Sequence, residues 1–240
     1  MLRINKGNIK LMIVLIMVSG LFAFSSVRNA KRKVGTPEIN FLGDDNLFIT
    51  PQTVSKLLIQ NEQPIANKPK EIIDLKYLET ALNSNPLIKE AQVFMSVDGV
   101  ITTEIEQKQP IARVNTNASY YIDTEGSYMP LSANYSARVP IVTGNVLKND
   151  LQNVYKIANK VYTDQFLRQH VVEIHQNGDK SIDVKFRLND FVIKFGSLKK
   201  LDKKINNLKA FYQKAYKDKT LDSYSTVNLK FDNQVICTKK

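Results

Sequence analysis

Asp123 and Glu125 stand two positions apart in the stretch 120–132, YYIDTEGSYMPLS, among three tyrosines. In an extended strand such a pair shares one face at about 6.5 to 7 Å. That is within the separation at which inverting glycosidases hold an acid and a base around a water. The same residues also read as a turn, because Asp-Thr-Glu-Gly supplies turn formers and Gly126 can take positive φ. Side chains at such a tip are expected to point into water, where neither carboxyl is driven to the raised pKa a general acid needs. A turn is the expectation, and no catalytic residue is assigned.

The histidines lead to the same conclusion. His170 and His175 are five apart and fall on opposite faces of an extended chain. Glu173 and His175 share a face, but two ligands without a third make a poor metal site. The chain carries no G-x-S-x-G elbow, P-loop or G-x-G-x-x-G fingerprint. Its single cysteine, Cys237, can neither close an internal disulfide nor supply a cluster of thiolates. The triplets at 117–119 and 134–136 match the glycosylation pattern but carry no weight without a compartment that glycosylates. No metal, cofactor or small-molecule substrate is expected.

The 240 residues are 43% hydrophobic, enough to bury one large core or two small ones. A net charge of +11 points to acidic partners. Nucleic acid is disfavoured, since the lysines crowd into one amphipathic segment near the C-terminus without a stacking or zinc-finger signature.

Residues 11–27, LMIVLIMVSGLFAFSSV, hold no charge. As a helix they reach about 25 Å, and Ile9 with snorkelling Lys10 and Arg28 extends them toward the roughly 30 Å of a bilayer's hydrocarbon. A cleaved signal peptide is the alternative, with Arg3, Lys6 and Lys10 before the apolar run and Ser19-Gly20 inside it. No A-x-A site follows, so a retained anchor is expected. Arg28, Lys31, Arg32 and Lys33 balance the basic residues on the other side, and the positive-inside rule does not decide. The short leader 1–10 against a long remainder argues for a cytoplasmic N-terminus with the bulk of the chain extracytoplasmic.

The elements that position these residues follow from spacing. A strand is expected at 38–42, then a Gly-Asp-Asp-Asn turn. A helix follows, capped by Thr50 with Pro51 at its first position and Val54, Leu57 and Leu58 apolar. After the linker NEQPIANKPK, Asp74 caps a second helix with Leu75, Leu78 and Leu82 on one stripe. Ala91, Val93 and Met95 then alternate into Asp98-Gly99, a strong hairpin signal, and the partner strand places Ile101, Thr103 and Ile105 on one face. The order is β-α-α-β-β over 35–114.

From 115 to 240 the chain is strand-rich. Strands are expected at 120–122, 139–142, 171–175, 181–188, 191–195 and, as one long final strand, 226–236. Two helices interrupt them, one with Leu151, Val154, Ala158 and Val161 inward and one with Leu198, Leu201, Ile205, Leu208 and Tyr212 inward. Lys199, Lys203, Lys204, Lys214 and Lys217 are expected to form the second helix's solvated face. The fold class is α+β. In the last strand Val227, Leu229 and Phe231 alternate with Asn228, Lys230 and Asp232, so as an edge strand it would offer unpaired N–H and C=O groups to another chain.

The segments 78–93 (LETALNSNPLIKEAQV), 104–114 (EIEQKQPIARV), 120–132, 139–144 (VPIVTG), 195–212 and 225–236, in this order, resemble the FtsQ/DivIB family of bacterial cell-division proteins. The resemblance implies a POTRA domain next to the membrane, a β-domain after it, and Asp123 to Gly126 as the family's D-x-x-G turn. It implies a non-enzymatic scaffold of the division machinery that recruits and bridges partners of FtsB and FtsL type. By the same likeness Phe231, Asp232 and Asn233 match the partner-contacting segment, so the expected partner-binding set is Val227, Asn228, Leu229, Lys230, Phe231, Asp232, Asn233 and Val235. Two alternatives are disfavoured. A cell-wall enzyme is disfavoured by the lack of converging catalytic groups, and a POTRA-bearing component of outer-membrane assembly or secretion by the lack of barrel strands.

Overall fold

The computed structural model describes residues 6–30, 32–43, 46–60, 63–231 and 234–240. The leader 1–5, Lys31, the centre of the Gly-Asp-Asp-Asn turn (Asp44, Asp45), Asn61 and Glu62 of the linker, and Asp232 and Asn233 of the expected partner set lie outside the described residues. The chain divides into two compact units, 1–107 and 108–240.

The first unit opens with helix α1, Lys6–Ala30. Its stretch Gly7–Asn29 is the one helix among the described residues long and apolar enough to cross a membrane. Then come β1 (Glu38–Leu42), α2 (Pro51–Leu57), the two-residue pair β2 (Ile59–Gln60) and β3 (Gln63–Pro64), a 3-10 turn (Lys70–Ile72), α3 (Leu75–Asn83), β4 (Ile88–Met95) and β5 (Ile101–Gln107). The sheet order is β1-β5-β4, with β1 parallel and β4 antiparallel to β5. The local signals act as expected. Thr50 Oγ1 accepts from Thr53 N (3.3 Å), Asp74 Oδ1 accepts from Tyr77 N (2.9 Å), and Gly99 turns the hairpin at φ 88°. Buried Gln107 on β5 pins the chain ahead of α2 by accepting from Phe48 N and Ile49 N and donating to Ile49 O. The linker after α2 is more ordered than expected, since it holds β2, β3 and the 3-10 turn.

The second unit contains β6 (Pro110–Asn115), β7 (Ser119–Asp123), β8 (Tyr128–Met129), β9 (Ile141–Gly144), α4 (Gln152–Thr163), α5 (Gln165–His170), β10 (Val171–Gln176), β11 (Ile182–Phe186), β12 (Val192–Gly196), α6 (Leu201–Lys217), a 3-10 turn (Leu221–Ser223), β13 (Tyr224–Asn228) and β14 (Ile236–Lys239). Among the described residues these strands form a nine-stranded sheet in the order β14-β13-β12-β11-β10-β9-β6-β7-β8. Parallel neighbours need a long crossover, and the helices supply it: α4 and α5 link β9 to its parallel neighbour β10, and α6 links β12 to its parallel neighbour β13. Val154, Ile157 and Val161 of α4 and Ile205 and Leu208 of α6 share one core with Ile174, Val184, Ile193 and Val227 of the sheet. The other sheet face, bearing Glu173, His175, Asp183 and Lys185, is wetter.

Four expectations are corrected. Segment 108–114, assigned to the first domain, belongs to the second unit, because β6 pairs with β7 and β9. The helix α5 was not foreseen, and it removes His170 from any extended strand. Asp164 caps α5 by accepting from Leu167 N (3.1 Å) and ties it to α6 through Lys209 Nζ (2.6 Å). Lys204 is buried rather than solvated, its ammonium donating to Phe195 O (2.7 Å) and Ser197 O (2.8 Å). The long final strand is in fact two strands, β13 and β14, folded back on each other.

Candidate functional site

The break between β13 and β14 relocates the sheet's open edge. Val227 pairs with Ile193 of β12 on one side and Cys237 of β14 on the other, and Asn228 lies between Lys194 and Ile236. Neither residue therefore sits on a free edge, contrary to expectation. Leu229 is buried and its amide donates to Lys194 O (2.9 Å), so the chain follows β12 one residue past the end of β13. Lys230 N donates to Asn228 Oδ1 (3.0 Å), and the lysine's stem lies over Gly196, where a Cβ would come within 2.8 Å of Lys230 Cγ. Phe231 is 46% exposed at the start of the connection. Val235 is half-buried against the core at its end.

The edge itself is β14, which the sequence reading reached only at Ile236. Val235 and Cys237 turn to the core, while Ile236 (41% exposed) and Thr238 face outward. Burial pushes the Cys237 thiol up, which keeps it protonated and unreactive. Lys240 N donates to Ser223 O (2.9 Å). By the two-residue alternation of a strand, the amides of Thr238 and Ile236 then also point to β13, and those of Cys237 and Lys239 point away from it. No strand among the described residues lies on that outer side. The polar run Asp232, Asn233, Gln234 between Phe231 and Val235 is the turn signal that would have revealed the fold-back.

The groups considered for chemistry are occupied structurally. Asp123 is 1% exposed rather than set in water. Its carboxylate accepts from Lys108 Nζ (2.8 Å), Glu125 N (3.0 Å) and Ser127 N (2.7 Å), which closes the turn from inside. Glu125 stays exposed, so the two carboxyls do not face one substrate position. Gly126, at φ 80°, holds the turn against the ring of Tyr155, whose hydroxyl donates to Thr124 O (2.9 Å). Glu173 and His175 do share a face, bridged by Thr143 Oγ1 at 3.0 and 2.9 Å. Burial raises the Glu173 carboxyl, but bonds from Lys185 and Thr143 outweigh it and hold it below the ordinary value. It is an ionised structural group and not a poised acid. His170 Nδ1–H donates to Phe166 O (2.8 Å), and the ring packs between Phe166, Phe186 and Tyr212. No group of three or more His, Cys, Asp or Glu that could hold a metal occurs among the described residues.

The chain is thus a mixed α+β protein in which a POTRA-like unit and a strand-rich unit follow an apolar helix that fits a single membrane span. A family model for the POTRA-like domain matches residues 43–106, and one described as FtsQ/DivIB, C-terminal related, matches residues 109–238. The second covers more than half of the chain, and the protein belongs to the FtsQ/DivIB family. That family is a non-enzymatic scaffold family of cell division that works through protein–protein contacts. No curated protein matches the chain.

Proposed function

We propose that this protein is a non-catalytic, single-span scaffold of the division machinery that recruits an FtsB-like partner, itself paired with an FtsL-like coiled coil, by taking a strand onto the outer side of β14. The N-terminus lies in the cytoplasm, α1 crosses the membrane, and the chain from Arg32 onward lies outside the cytoplasm. The observation that carries the reading is the open edge of β14, with exposed Ile236 on it and exposed Phe231 in the connection that leads to it, in the domain that the family model matches. Outward amides supply sequence-independent affinity, and the two apolar side chains supply anchors beside them. Lys230, Phe231, Asp232, Asn233 and Val235 border this edge in sequence. Val227, Asn228 and Leu229 act from behind it, as the strand and core that hold β14 in place.

Lys239→Pro removes an outward donor while sparing the inner ladder. In the full-length protein it is expected to abolish co-purification with an FtsB-like protein while the melting temperature stays within about 2 °C, as for a surface change. A photoreactive residue at Ile236 is expected to crosslink the same partner. Undiminished co-purification of the proline variant, or crosslinking from 119–129 instead of Ile236, would overturn the proposal. A reporter fused after Lys240 that is active in the cytoplasm would reject the orientation.

A further inference from the structure

We propose that the first unit carries a site for an anionic phospholipid, in which Arg28, Arg32 and Lys33 hold the headgroup beside the tip of the β4–β5 hairpin and the part of the hollow along Phe22 and Phe24 of α1 receives the start of the acyl chain. The inference rests on α1 being a span.

The chain leaving α1 is sewn into the unit. Val34 N donates to Lys68 O (2.8 Å), Asn67 N to Val34 O (2.8 Å) and Lys70 N to Arg32 O (3.1 Å). Side chains add to this. Arg32 Nη1 reaches Asp98 Oδ1 (3.2 Å) and Val97 O (3.4 Å), and Lys70 Nζ reaches Asn29 Oδ1 and Val97 O. Gly99 sits so close that a Cβ there would lie 3.4 Å from Lys33 O. The hairpin tip is therefore held beside the last turn of the span, where Asn29 ends the apolar stretch.

The tip is thus level with the cations: Val97, 80% exposed, lies beside Arg32, while Phe22 and Phe24, apolar and outward-facing on α1, lie one to two helical turns deeper than Arg28. Phe22, Ser26, Arg28, Asn29, Arg32 and Val97 border one hollow of ≈ 710 Å³. Its deep end is hydrocarbon-like and its mouth is cationic, the order of a phospholipid read from tail to head. Arg28 and Lys33 have no ion-pair partner among the described residues. The nearby carboxylates are Asp98, which Arg32 engages, and exposed Glu71, which leaves a cationic surplus at headgroup level. Juxtamembrane cations at that level attract anionic lipid.

The test uses full-length protein in vesicles of phosphatidylcholine and phosphatidylglycerol, with the motionally restricted fraction of spin-labelled lipid measured for each headgroup. Phosphatidylglycerol is expected to be retained about threefold over phosphatidylcholine at low salt, and less as salt rises. Arg28→Gln/Lys33→Gln, which leaves the Arg32–Asp98 tie intact, is expected to remove at least half of the preference. Arg3→Gln/Lys6→Gln/Lys10→Gln is expected to leave it. Equal retention of both lipids in a protein that resists alkaline extraction would overturn the proposal alone, as would a preference that follows the N-terminal lysines. Release of the protein by alkaline extraction would reject the span itself, and with it the functional reading.

Discussion

Replacing Asp123 by alanine separates a structural carboxylate from a catalytic one. The side chain is 2% exposed and accepts from Lys108 Nζ, itself 17% exposed, and from the amides of Glu125 and Ser127. Hydrogen bonds to a charged group contribute about 1.5–3 kcal/mol, and removing one partner of a buried ion pair costs about 3–5 kcal/mol. Lys108 retains a path to water, which recovers part of that cost, so Asp123→Ala is expected to lose about 3 kcal/mol. Against a stability of about 5–15 kcal/mol this is a large fraction. It corresponds to a fall of roughly 10 °C in the melting temperature of the second unit. Asp123→Asn keeps one oxygen for the amides and is expected to lose about half as much. Glu125→Ala, at an exposed position, is expected to stay within about 0.5 kcal/mol. The assay is thermal unfolding of the full-length protein followed by tyrosine signals, with amide exchange across 119–129 to localise the effect. An Asp123→Ala protein that melts within about 2 °C of the natural one, with unchanged exchange, would refute the reasoning.

Two further perturbations test the helices. Burial pushes the Asp164 carboxyl up, but the Lys209 bond, the Leu167 amide and the Lys209 charge outweigh it and hold the group below its ordinary 3.8. Its contribution is therefore complete above that value and lost as pH falls through the lower folded value. Asn is as good a cap, so Asp164→Asn isolates the ion pair and is expected to cost about 1 kcal/mol at neutral pH. The gap should close below about pH 4, and a gap of constant size in acid unfolding curves would contradict the assignment. Lys204→Met leaves the carbonyls of Phe195 and Ser197 without their ammonium donor and is expected to cost about 1–3 kcal/mol in denaturant unfolding. A variant as stable as the natural chain would show that water replaces the ammonium.

The first unit was legible because its signals are local. Thr50-Pro51, Asp74 and Asp98-Gly99 each fix a boundary within a few residues, and the elements between them are long enough to show their period. The second unit's failures share a cause, which is that residue type and position disagreed. Positions 201, 204, 205 and 208 form one helical stripe, and all four are buried, yet a lysine at 204 reads as solvent-facing until the carbonyls of Phe195 and Ser197 are seen beneath it. The helix α5 has six residues, too few to show a period, and its one local signal is an acidic residue, Asp164, at the cap position. Asp123 reads as a tip residue because turns usually lie in water, whereas here Lys108, just ahead of β6, covers it.

The fold-back at 229–235 hid for a subtler reason, and it bears on function. The alternation Val227, Leu229, Phe231 continues through the break because Leu229 still docks against β12 after pairing with β14 has ended, so burial keeps period two where the ladder does not. What results is an edge of four residues, Ile236–Lys239, followed by Lys240, which is held loosely toward Asp190 at 3.4 Å. Shortness and terminal lysines are devices by which sheets discourage pairing with their own copies. Two β14 strands laid side by side would bring the lysines of both onto one short ladder, a repulsion that an acidic strand would turn into attraction. With a net charge of +11 on the chain, an edge that takes a strand as proposed is expected to resist a second copy of this chain and to favour a partner strand that carries carboxylates and an apolar residue to set against Ile236.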